Sequence, residues 1–436
     1  MRLLSRLYAD GPMSAVFSAE RTVQGWLDFE AALAQAQAEL EILEAGDAAA
    51  IAAAARLETI DLEALWRESR TVGYPILSLV RQLAAAVDPP ADGRVHYGAT
   101  TQDVMDSGLA VQLGLALDRL EALIGELGDA LVAQMDAHRD TVMAARTHGQ
   151  QAVPTTFGTT LAPLVAELAR HRERLGQVRP RACVVSLFGA GGTGAAYGER
   201  AAEVRAGVAR RLGLRATDVS WHAARDTVAE FGFACAALAG TCARFARNVV
   251  DLSRTEIGEV GEPSGKHRGA SSTMPQKVNP IASEAIIGMA ATAGGLVSTL
   301  VRAMEAGHER AAGEWQAEWE AVPQLAGLAA GSLALAGEVA RGLRVDAAAM
   351  GRNLEADGGL VMAEAYMIRL AGRLGRGRAH DVVYDAAGAA RRTGGRLEDT
   401  LDDEARAALG GAPLRPQDYV GDPRRACDAA AALWRA

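Results

Sequence analysis

Apolar residues recur at three- and four-residue spacing over most of this chain. Trp26, Phe29, Ala32, Leu33, Ala36 and Leu40 form one such face, and Ser18 precedes it where a helix cap belongs. Longer series follow. Leu109, Leu113, Leu117, Leu120, Ile124, Leu127, Leu131 and Met135 make one, and Leu161, Leu164, Val165, Leu168 and Leu175 another. Phe231, Leu238, Phe245, Val249 and Leu252 make a third, and Ile281, Ile286, Ile287, Met289, Ala293, Leu296 and Leu300 a fourth. Each predicts a helix longer than the usual run of about three turns. No recurrent two-residue alternation appears. Long amphipathic helices joined by short polar connections read as a bundle. Asp88–Gly93 and Asp357-Gly358-Gly359 interrupt the pattern. These breaks divide the chain into an N-terminal helical domain (1–105), a central helical bundle (106–356) and a C-terminal helical domain (357–436). The expected fold class is all-α.

Composition agrees with close helix packing. The chain is 49% hydrophobic but only 5% aromatic, so small and straight-chain residues dominate its apolar faces. A net charge of −9 argues against a nucleic-acid partner and restricts any basic patch to a local anion site. Cys183, Cys235, Cys242 and Cys427 are scattered, and Cys235 and Cys242 fall inside an apolar helical pattern. They read as core thiols, not as a disulfide or a metal site. The first residues lack an apolar signal core, and no uninterrupted apolar run reaches bilayer length. The expectation is a soluble, cytoplasmic protein with no membrane partner. The glycine-rich run Gly189–Gly194 lacks a preceding strand pattern and a Lys-Ser/Thr pair. It reads as a tight loop, not a phosphate loop.

Three polar, small-residue stretches hold the candidate chemistry. In Gly269–Pro280, glycines free the backbone and Pro275 and Pro280 keep the loop irregular. The loop opens onto the helix beginning near Ile281, a junction that favours anions, and Lys277 adds a full positive charge. A serine held among such donors has its alkoxide stabilised and can act as a base. Proton abstraction beside a carboxylate needs that base, plus cations for the aci-carboxylate that follows. The second stretch, His96-Tyr97-Gly98-Ala99-Thr100-Thr101-Gln102-Asp103, leads to Asp106. By itself it reads as a capped helix start, with Thr100 or Thr101 as the cap and Asp103 favouring the dipole. The third, Arg146–Thr156, centres on His148 before a glycine, which by itself is more often structural than catalytic.

The full strings resemble the signature regions of the fumarase/aspartase superfamily. The pattern G-S-S-x-M-P-x-K-x-N-P, with a glutamate shortly after, is matched at Ser271, Ser272, Met274, Pro275, Lys277, Asn279, Pro280 and Glu284. It departs at Ala270. Arg146–Thr156 matches R-T-H-G-Q-x-A-x-P-T-T. The resemblance implies that Thr100, Thr101 and Gln102 bind a substrate carboxylate, with His96 and Asp106 also at motif positions. It implies that His148 is the general acid on the leaving group or orients it, held charged by Glu284. Thr147 and Gln150 would bind substrate. Arg310 matches a substrate arginine able to fork a carboxylate. Arg225-Asp226 matches a pair usually preceded by glutamine, where this chain has Ala224. His222 beside it either compensates or caps a helix end. Trp315 and Trp319 read as core or interface anchors.

The resemblance spans about residues 8–395. It implies a three-domain subunit with a central long-helix bundle, in a homotetramer with a multi-helix core whose active sites are each completed by three subunits. Ser271 would be the base or acid at carbon, and His148 with Glu284 would serve oxygen or nitrogen. Lys277 and Asn279, with Ser272 and Met274 on the same loop, would hold the aci-carboxylate. The substrate would be a small polycarboxylate, with no cofactor and no metal. Met13–Ser18, Gly307–Trp319, Asn353-Leu354-Glu355 and Arg378–Val383 are similar to the lactone-closing cycloisomerase branch of the family. That reaction adds a carboxylate across a double bond, β-elimination run backwards. Gln276 and Val278 depart from the histidine and arginine expected there. The alternatives are a lyase releasing fumarate from an adenylosuccinate-like, argininosuccinate-like or other substituted succinate, and a non-catalytic scaffold of the lens-crystallin kind.

Overall fold

The computed structural model describes residues 3–310, 312–410 and 414–436. Helix α1 covers Ala19–Glu39, and five longer or comparable helices follow: α2 (Thr101–Ala137), α3 (Phe157–Ala182), α4 (Asp226–Leu252), α5 (Ile281–Ala303) and α6 (Glu314–Arg341). The all-α expectation holds, and helix starts follow their caps. Ser18 Oγ accepts from Arg21 N at 3.1 Å at the head of α1. Asp103, in the first turn of α2, accepts from Thr100 N at 3.1 Å, the back-reach of a capping box.

The chain forms two compact units, and α2 to α6 each contribute residues to both. One unit comprises residues 1–123, 171–240 and 288–334. Its core packs Trp26, Phe29 and Leu33 of α1 with Leu65, Leu79, Val104, Val185 and Val208. Close approach of α1 and α2 requires a glycine, because a Cβ on Gly108 would lie 2.8 Å from Trp26 Cδ1. The other unit comprises 124–170, 241–287 and 335–436. Its C-terminal helices bury Leu354, Val361, Tyr366, Leu370, Val382 and Leu397 around Ala144.

Ala144 belongs to an element that the two-residue periodicity did not announce. Strands β1 (Val142–Thr147) and β2 (Gln150–Thr156) pair antiparallel, with Thr147 opposite Gln150. Only His148 and Gly149 join them, at φ 52° and 75°. Two positive φ values in a two-residue loop are what a type I′ turn demands, and histidine tolerates that region better than most side chains.

Among the described residues three helices (α4, α5 and α6) are long and apolar enough to cross a membrane by length and composition. The most apolar stretches of α4 and α6 are 56% and 61% buried within the protein, whereas that of α5 is only 17% buried. The two tryptophans also differ: Trp315 is 2% exposed and is a core anchor, whereas Trp319 is 36% exposed.

Candidate active site

The sequence-predicted residues fall into two groups, one in each compact unit. In the first unit, Arg310 donates through Nε to Gln102 Oε1 at 3.1 Å, and through Nη2 to Thr100 Oγ1 at 3.3 Å and Ala190 O at 3.4 Å. Gln102 is fully buried, and its Nε2 donates to Asp106 Oδ2 at 3.1 Å and to His222 O at 2.8 Å. Its amide therefore has no free donor for a substrate carboxylate, which corrects the role expected of it. Here Gln102 aims Arg310. Thr101 is half-buried in the first turn of α2.

Behind this group lies a buried polar network. Arg225 is 1% exposed and meets Asp106 at 2.8 and 3.1 Å and Glu318 at 2.9 and 2.5 Å. Trp315 Nε1 donates to Asp106 Oδ1 at 3.1 Å. Both carboxylates keep Arg225 charged despite the desolvation that burial imposes. Asp103 is a second hub. It accepts from Phe188 N and Gly189 N, both at 2.9 Å, and faces His222 Nε2 at 2.8 Å. His222 thus stands within the framework that fixes the start of α2 and the head of the Gly189–Gly194 loop.

His96 sits in the left-handed region at φ 61°, with Nδ1 2.6 Å from Glu30 Oε1. Burial of the ring disfavours its cation, but the charge and hydrogen bond of Glu30 outweigh this and raise its pKa above the usual 6.5. Glu30 was not singled out from sequence. Its signal was a charged residue at a core position of α1, one turn after Trp26 and before Leu33 and Gln37.

In the second unit, the hairpin puts Thr147, His148 and Gln150 at an exposed tip. Its arms are anchored below. Arg146 forks the buried Glu259 at 2.9 and 2.6 Å. Asn353 Nδ2 donates to Glu259 Oε1 at 2.7 Å, and Asn353 O accepts from Gln151 Nε2 at 2.9 Å. Among the described residues of this chain neither His148 nor the exposed Glu284 has a side-chain partner, and the two do not meet. The expected pair does not form within one chain.

The Ser271 loop closes at its base. Gly269 O accepts from both Asn279 N (2.8 Å) and Asn279 Nδ2 (3.0 Å), and Ala270 pairs with Val278. Asn279 therefore spends its side chain on the loop. At the tip, Ser271 Oγ accepts from Met274 N at 3.0 Å and Thr273 N at 3.3 Å. Ser272, Met274 and Lys277 are exposed around it. Two backbone donors aimed at one hydroxyl oxygen stabilise its alkoxide over its alcohol. The N-terminus of α5 is not free for a ligand, contrary to expectation. Glu262 already takes Ser283 N and Ser283 Oγ, each at 2.7 Å, and Ala282 N at 3.3 Å. No group of three or more His, Cys, Asp or Glu side chains able to hold a metal occurs among the described residues.

Fold and loops together define a predominantly helical enzyme of the lyase and cycloisomerase class, with the candidate residues on the segments between long helices. A family model described as Lyase matches residues 8–295, and the chain belongs to this family, the fumarase/aspartase superfamily. It is 45% identical over 432 residues to a 3-carboxy-cis,cis-muconate cycloisomerase of Pseudomonas aeruginosa, covering 97% of this chain and 94% of the relative. The crystal structure of a 3-carboxy-cis,cis-muconate lactonizing enzyme from Pseudomonas putida superposes with a TM-score of 0.93 at 39% identity, covering 100% of this chain and 99% of that one. That of a fumarate lyase from Mesorhizobium superposes with a TM-score of 0.89 at 36% identity, covering 97% and 98%.

Proposed function

We propose that this chain catalyses cofactor-independent lactonisation of 3-carboxy-cis,cis-muconate by general acid–base chemistry. The observation that carries the reading is Ser271 Oγ held by two backbone N–H groups, with Lys277 on the same loop. A substrate carboxylate oxygen adds to the carbon–carbon double bond and forms the lactone C–O bond. The displaced electron pair passes to the carbon beside a second carboxylate, giving an aci-carboxylate that Lys277 and the loop amides stabilise. Ser271 then delivers its proton to that carbon; in the reverse direction its alkoxide removes it. His148 orients the attacking oxygen, and Thr100, Thr101, Thr147, Gln150 and Arg310 place the remaining carboxylates.

The active unit is a homotetramer whose sites are completed by several copies. The long apolar α5, only 17% buried in a single chain, supports this assembly, as does a His148 that finds no carboxylate among the described residues of its own chain. Glu284 of another copy would then hold it. Size-exclusion chromatography with light scattering should give four chains per particle; a monomer that turns over substrate would refute the shared site.

The decisive assay follows the ultraviolet chromophore of 3-carboxy-cis,cis-muconate, beside adenylosuccinate. Wild type should consume the muconate, and Ser271→Ala should lower turnover roughly 10²- to 10⁴-fold with folding intact. Fumarate release from a substituted succinate, with muconate untouched, would instead establish the lyase alternative. The neutral Gln276 and Val278 flanking Lys277 are the feature that keeps this alternative open.

A further inference from the structure

Of the 45 Lys and Arg side chains in this sequence only two are lysines: Lys277 within the Ser271 loop, and Lys266 in the turn three residues before its base at Gly269. Elsewhere the chain meets every need for positive charge with arginine, including the ion pairs Arg119–Asp10, Arg146–Glu259 and Arg225–Asp106. Lysine is kept only here. The two cations differ in what they do well. Arginine is a planar fork suited to permanent bidentate pairs; lysine is a compact charge on a flexible stem, suited to a partner that arrives and leaves.

The local geometry separates Lys266 from its basic neighbour. Arg268 N donates to Gly265 O at 3.1 Å, closing a turn with Lys266 and His267 at its centre and His267 at φ 62°. The Arg268 side chain turns inward, hydrogen-bonded to Glu338 and 3.8 Å from Glu262, the carboxylate that also caps α5. Arg268 thus clamps the turn and is neutralised. Lys266 is exposed and, like Lys277, has no hydrogen-bond or ion-pair partner among the described residues. Between Gly265 and Pro280, Lys266 and Lys277 are the two permanently charged side chains left unpaired.

We propose that Lys266 is a specificity-determining residue that binds a second substrate carboxylate, not the one held by Lys277, and so favours tricarboxylates over dicarboxylates. This rests on the proton-transfer reading of the Ser271 loop. Lys277 serves the carboxylate that becomes the aci form. Lys266 serves a carboxylate whose charge does not change during reaction, so its contribution falls on binding and not on the chemical step.

Two measurements on the full-length protein test it. The first is kinetic. Lys266→Ala should raise KM for 3-carboxy-cis,cis-muconate about ten- to a hundredfold, with kcat within about threefold, and Lys266→Arg should recover much of the loss. An unchanged KM in Lys266→Ala overturns the proposal. The second exploits the scarcity of lysine: acetylation of Lys266 and Lys277 is followed by peptide mass spectrometry with and without saturating 3-carboxy-cis,cis-muconate. Both lysines should be protected. Protection of Lys277 alone overturns the role of Lys266 and leaves the lactonisation reading standing. Loss of protection at both, with no Ser271-dependent turnover, overturns both readings.

Discussion

Gln102 accepts a hydrogen bond from Arg310 Nε at 3.1 Å while its own amide nitrogen is held by Asp106 and the carbonyl of His222. The amide cannot flip without turning N–H groups towards a guanidinium, so its orientation is fixed from behind. Arg310 is therefore aimed by a residue 208 positions away in sequence. Replacing Gln102 with Leu removes the acceptor for Arg310 and the donor to His222 O, while Asp106 Oδ2 keeps its bond from Arg225 Nη1. A stability loss of about 1–3 kcal/mol is expected, read as a lower urea midpoint. If Arg310 binds an unreactive carboxylate, as proposed, KM should rise about tenfold with a smaller change in kcat. A fall in kcat with KM unchanged would place Arg310 at the reacting centre instead.

Gly269 is where the Ser271 loop closes. It has φ 67°, and a Cβ there would stand 2.3 Å from the carbonyl oxygen of Asn279. That contact is with backbone and cannot be relieved by a rotamer change. Gly269→Ala should open the loop base, scatter the donors around Ser271 and lower turnover at least about a hundredfold. Gly46→Ala is the control, since Gly46 is an exposed position of the helix Ala45–Ala54 with nothing within 4 Å of the added carbon. It should keep full activity and gain up to about 1 kcal/mol in stability. Thermal melts of the two variants, read with their activities, separate loop geometry from global stability.

What could be read from sequence follows from how local each feature is. The Ser18 cap, the helix start at Thr100–Asp103 and the long helices rest on side chains within a turn of one another and formed where the pattern placed them, although at Thr100 the bond comes from the Asp103 carboxylate and not from a threonine hydroxyl. The donors to Ser271 Oγ are equally local, two and three residues along the chain. The hairpin around His148 was missed because Val142-Met143-Ala144-Ala145 gives no clean alternation, and only the His148-Gly149 pair marked its turn. The supports were missed for a different reason. Glu30 lies 66 residues from His96, Glu259 lies 113 from Arg146, and Glu262 lies 21 from Ser283. No periodicity links such pairs; each is a buried carboxylate whose partner is chosen by packing. The same distance explains why the role of Gln102 was misjudged, since two of its three partners, His222 and Arg310, lie 120 and 208 residues away.

The His96–Glu30 pair predicts a pH dependence of definite sign. Its histidine side chain is 19% exposed and its carboxylate is fully buried. Folding raises the pKa of His96 above 6.5, so the folded state binds its proton more tightly than the unfolded chain does. The stabilisation is then complete below about pH 6.5 and is lost as pH rises through the folded-state value. Glu30→Gln removes the charge but keeps an acceptor for Nδ1–H. Its cost should be about 1–3 kcal/mol near pH 6 and should shrink towards pH 9 as wild type loses its own imidazolium. Urea titrations of the two proteins at both pH values read the difference directly. A cost that does not change with pH would mean that His96 is neutral throughout and that Glu30 holds the ring only as a hydrogen-bond acceptor. A cost that grows with pH would reverse the sign and show that burial of the ring outweighs the carboxylate beside it.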